Sequence, residues 1–95
     1  MPGSVPSARD RTAWFLGTPA LWPAWPFLPM VRRSRGYMEL GVVIDSRSLG
    51  LTGRSATVFL ANLLELPGTL NEFLALPHET FDSADEVAAA EWLVD

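Results

Sequence analysis

His78 is the only histidine in the chain, and Glu79 follows it directly. A carboxylate beside an imidazole can tune it for general acid–base work near neutral pH. Placed just after Pro77, the same pair also suits a solvent-exposed turn, and nothing else in the sequence favours catalysis. There is no G-x-S-x-G nucleophile turn. The absence of cysteine removes thiolate chemistry, disulfides and Cys-ligated zinc together. The D-x-D spacing of a calcium loop is missing. Asp82, Asp85 and Glu86 read as residues that open a helix. No cofactor is implied.

A second group lies between residues 48 and 55. Ser48-Leu-Gly-Leu-Thr-Gly53-Arg54-Ser55 runs close to the phosphate-binding pattern G-x-x-x-x-G-K-[ST]. It departs twice, with Ser48 for the first glycine and Arg54 for the lysine, which argues against nucleotide hydrolysis. A glycine-rich turn leading into a helix at Ser55, with Arg47 and Arg54 as cations, could still hold an anion. Arg47, Gly53, Arg54 and Ser55 are therefore candidate phosphate-ligand residues. The alternative is a plain connection ending in a serine N-cap.

Arg32, Arg33 and Arg35 gather beside Tyr37. Guanidinium groups with an aromatic ring suit nucleic acid, but the net charge of −4 opposes a polyanion. Solvated charge on a hairpin tip, guarding an edge strand, is the preferred reading. The strongest functional signal is Leu21-Trp22-Pro23-Ala24-Trp25-Pro26-Phe27-Leu28-Pro29. Tryptophan dominates binding hot spots, and polyproline II segments lose little entropy on binding. Trp22, Trp25 and Phe27 are candidate partner-binding residues. In a small domain the same rings can instead complete the core.

The elements around these groups must come from 95 residues that are 48% apolar and 19% charged. That allows one small domain with a real core. Charge is uneven: residues 1–54 hold all seven arginines against three acids, whereas residues 55–95 hold eight acids and no base. A basic sheet docked on acidic helices accounts for this. Residues 12–31 carry no charge over a membrane-spanning length, but Gly17, Pro19, Pro23, Pro26 and Pro29 break any helix there. No signal-peptide cleavage pattern follows.

Residues 1–11 read as a disordered tail and 13–29 as an extended, polyproline-like strip. Residues 27–33 and 37–45 predict a β-hairpin joined by a three-residue loop, Ser34-Arg35-Gly36. In that register Met30 faces Leu40 and Leu28 faces Val42, and Pro29 makes the first strand an edge. Residues 55–66 have helical spacing, although Thr57-Val58-Phe59 would suit a strand. Capping boxes at Thr69–Glu72 and Ser83–Glu86 start two further helices, one to about Leu76 and one to Trp92.

These elements predict an α+β domain over residues 12–95. Its hairpin is covered by the Trp/Pro strip or by short C-terminal helices. The expected role is that of a small, non-catalytic cytoplasmic accessory protein. It would contact a protein partner, or a second copy of itself as a homodimer, through the Trp/Pro strip. Neither a nucleic acid nor a membrane is an expected partner.

Overall fold

The computed structural model describes residues 7–50 and 56–95. It is an α+β fold with a five-stranded antiparallel sheet. Helix α1 spans Ala8–Leu16, strands β1 and β2 span Phe27–Ser34 and Tyr37–Ile44, and β3 spans Thr57–Phe59. Helix α2 (Leu70–Leu74), β4 (His78–Thr80), α3 (Ala84–Ala89) and β5 (Leu93–Val94) follow. The sheet order is β4-β3-β2-β1-β5. Among the described residues, no helix is long and apolar enough to cross a membrane.

The N-terminal region differs from the expectation. Residues 8–11, assigned to the tail, open α1, because the Ser7 hydroxyl accepts from the Asp10 N–H and caps the helix. The buried Thr12 hydroxyl donates to the Ala8 carbonyl and accepts from the Val94 N–H, tying α1 to β5. The strip after it is not polyproline-like. Pro19–Leu21 forms a 3₁₀ turn, and residues 23–26 form further turns before β1 begins at Phe27. Proline's fixed φ suits the first position of such a turn as well as it suits an extended strip, so prolines three or four residues apart do not separate the two.

The hairpin is present, with its register shifted by one. Ser34 pairs with Tyr37, Met30 with Gly41 and Leu28 with Val43. The turn is the two residues Arg35 and Gly36, at φ 46° and 87°, which matches the right-handed twist of the strands. The shift separates the expected core set. Leu28 and Met30 share a face with Val43, while Val42 and Ile44 point to the other face. Both faces are covered at this end. One core holds Trp22, Leu28, Met30, Val43, Val58, Val87 and Trp92, and the other holds Val42, Ile44, Phe59 and Phe73. The run Val42-Val43-Ile44, which breaks a simple alternation, is thus buried throughout.

Strand β1 is not an edge. The Pro29 carbonyl accepts from the Asp95 N–H, so the side of Pro29 that lacks an N–H faces the short β5, not the β2 ladder. Residues 57–59 form a strand, not a helix, followed by a 3₁₀ turn at Leu63–Glu65 capped by the Asn62 side chain. Their β-branched and aromatic side chains fill both cores at once. Thr69 and Ser83 cap α2 and α3 as expected. The Glu86 carboxylate returns its bond to the Asp82 N–H, one residue before the cap. Both helices are shorter than expected; Glu91, at φ 71°, ends the turn after α3 and sends Trp92 inward.

Gly41 is a packing requirement. A Cβ there would lie 2.6 Å from Val58 Cγ1 and 3.0 Å from the Trp92 ring. Overpacking of this kind costs about 1–3 kcal/mol. Gly41→Ala is therefore expected to lower Tm by roughly 5–20 °C in thermal unfolding, whereas Gly36→Asn, at an open turn position that tolerates positive φ, should change it far less.

Candidate functional site

Two groups of side chains stand out: the tryptophan segment before β1 and a polar cluster around Arg32. In the first, the chain from Trp22 to Phe27 is folded by its own backbone bonds. Trp25 N–H donates to the Trp22 carbonyl and Phe27 N–H to the Ala24 carbonyl. The Asp45 N–H donates to the Pro26 carbonyl at 2.7 Å, fixing this segment to the end of β2. Trp22 is buried, and its indole N–H donates to the Phe15 carbonyl at 2.6 Å, so this ring belongs to the core. Phe27 is half-buried against Phe73, with ring centroids 5.5 Å apart. Trp25 alone of the three is presented outward, at 53% exposure. Its indole N–H donates to Asp45 Oδ2 at 2.8 Å, and Asp45 is itself buried.

The anion candidates fall differently. Gly53, Arg54 and Ser55 lie outside the described residues. Arg47 is exposed on the 3₁₀ turn Ser46–Leu49 and lines a cavity of about 230 Å³ with Trp22, Asp45, Ser46, Ala56 and Ser83. That volume is below the ordinary range for small-molecule sites.

His78 and Glu79 do not form a dyad. They are neighbours on β4, so their side chains leave opposite faces of the sheet. His78 Nδ1 lies 2.8 Å from the Leu76 carbonyl, and its ring sits against Phe59. Glu79 turns the other way, toward Arg32. Among the described residues, no group of three His, Asp or Glu side chains is placed to hold a metal.

The Arg32 cluster is not visible as such in the sequence, which sets Arg32 beside Arg33 and Arg35 at the tip. Arg32 instead points inward. Its guanidinium makes paired bonds to Glu39 (3.0 and 3.1 Å) and to Glu79 (2.8 and 2.9 Å). It also lies 4.3 Å from the centroid of the fully buried Trp92 ring, whose N–H donates to Glu79 at 3.2 Å. Hydrogen bonding to Glu79 first, and to Glu39 next, raises the already high pKa of Arg32. The Arg32 hydrogen bond holds the Glu79 carboxyl below its ordinary value of 4.5, against the opposing effect of burial. The signal that could have revealed the cluster is cross-strand: a two-residue turn places Glu39 opposite Arg32.

No family model, no curated protein and no solved structure matches the chain. The geometry is therefore the whole basis for a functional reading.

The Glu79 shift fixes the sign of a pH effect. A carboxyl whose folded pKa is depressed contributes stability that is complete above its unfolded value and is lost as pH falls through the folded value. Glu79→Gln is expected to be less stable than wild type at about pH 6, and its urea midpoint should fall less between about pH 5 and about pH 3. Equal slopes in that interval would show that the Arg32–Glu79 pair does not shape the acid limb.

Proposed function

We propose that this chain is a small, non-catalytic accessory protein that binds a protein partner through a surface centred on Trp25. The observation that carries the reading is the pairing of exposure with fixation. Trp25 is more than half exposed, yet its indole is anchored to the buried Asp45 carboxylate. Most exposed side chains lose rotamer freedom when a partner covers them. Here the ring is held before any encounter, which is the condition under which an aromatic anchor binds most effectively. Trp14 and Leu21, also exposed, lie in the same N-terminal segment and extend its apolar character. The lack of cysteine suits a reducing, cytoplasmic setting.

Trp25→Ala is the direct test, because Trp25 is outside both cores and its loss should leave the fold intact by circular dichroism. A protein captured by wild type from source cells, then purified, should bind Trp25→Ala at least about 30-fold more weakly in calorimetry, as a hot-spot residue requires. Equal binding by the folded variant would move the contact surface elsewhere.

A further inference from the structure

The β1–β2 hairpin outruns the sheet on both sides. Strand β5 pairs with β1 only at Met30 and Val31, and β3 pairs with β2 only at Val42. The layer formed by the Leu63–Glu65 turn and α2 covers Val42, Ile44 and Phe59 and stops there. Beyond it, the same face of the hairpin carries Val31, Leu40 and Met38, and Met38 is 55% exposed. The strip ends in Arg33 and Arg35, both exposed. Among the described residues neither has a carboxylate partner, since both ion pairs belong to Arg32. An apolar strip closed by two unpaired cations fits an acidic surface with its own exposed apolar side chains.

The chain itself carries exposed apolar and acidic side chains in one nine-residue stretch, from Leu64 to Glu72. Residues 55–95 contain no base. The 3₁₀ turn that packs Leu63 into the core turns Leu64 outward at 89% exposure, and Leu70 is exposed at the start of α2. Glu65 and Glu72 are exposed beside them in sequence and, among the described residues, form no ion pair.

We infer that the hairpin tip of one molecule docks on the Leu64–Glu72 surface of a second copy. Met38 and Leu40 would meet Leu64 and Leu70, and Arg33 and Arg35 would meet Glu65 and Glu72. The charges dictate a contact of tip with acidic surface. A two-fold contact of tip against tip would bring unpaired arginines together, which opposes binding. Such a contact closes as a dimer where it is reciprocated about a two-fold axis and continues head to tail where it is not; in both forms association rises with concentration and weakens with salt.

Sedimentation velocity on the full chain tests this with two charge-reversed variants, Arg33→Glu/Arg35→Glu and Glu65→Arg/Glu72→Arg. Wild type is expected to self-associate, and each variant alone to do so at least about tenfold more weakly. An equimolar mixture of the two should associate again, because every tip then finds a complementary surface; this rescue also shows that both variants are folded. A wild type that stays monomeric into the millimolar range overturns the inference, as does a mixture that remains monomeric. Trp25→Ala should associate like wild type. If it does not, the self-contact runs through Trp25, and the hairpin assignment is wrong while the Trp25 surface stands.

Discussion

The stack of Arg32, Trp92 and Gly41 governs how this small fold closes. Trp92 is the largest fully buried side chain, and it is placed by a chain reversal after α3. Its ring lies close to Gly41, where any side chain would collide with it or with Val58. Above it sits the Arg32 guanidinium, and its N–H bonds the Glu79 carboxylate that also binds Arg32. The β1–β2 hairpin, β4 and the segment entering β5, which are distant from one another in sequence, thus meet at one place. A half-buried arginine gains from this only because both carboxylates and the ring satisfy it together. A single partner would not offset the loss of hydration.

That closure explains how the sheet can be both thin-edged and covered on two faces. The outer strands have two and three residues, too short to supply much ladder energy. Side chains hold them in place instead, with Thr12 bridging α1 to β5 and Glu79 bridging β4 to Arg32. One face takes α1, α3 and the tryptophans Trp22 and Trp92, while the other takes Phe27, Phe59, Phe73 and α2. The cover leaves exposed both the anchored Trp25 beside the end of β2 and the hairpin tip, and each is proposed as a contact surface.

What could be read from the sequence was local. Capping boxes are complete within four residues, so Thr69 and Ser83 were recognisable without knowledge of the tertiary structure. The hairpin was also legible, because alternation and an Arg-Gly turn lie side by side. Its register was not. Residues 42–44 are apolar on both faces, so alternation cannot choose between a two- and a three-residue turn. Strands β4 and β5 are too short to display an alternation and exist only through long-range pairing. The tryptophans show the limit most clearly. Trp22-Pro23-Ala24-Trp25-Pro26 gives the two rings the same local setting, yet one is core and one is surface. That difference arises from Phe15 and Asp45, which lie 7 residues before Trp22 and 20 after Trp25.

The measurement that bears most directly on this closure is a double-mutant cycle by urea unfolding, with Arg32→Met, Glu79→Gln and the combined variant. Both side chains are partly exposed, which lowers the coupling below that of a fully buried pair. Because Arg32 is also held by Glu39 and Trp92, a coupling energy of about 1 kcal/mol or more is expected. Additive effects, within about 0.3 kcal/mol, would contradict it, leaving Arg32 and Glu79 as independent surface groups and the closure to apolar packing alone.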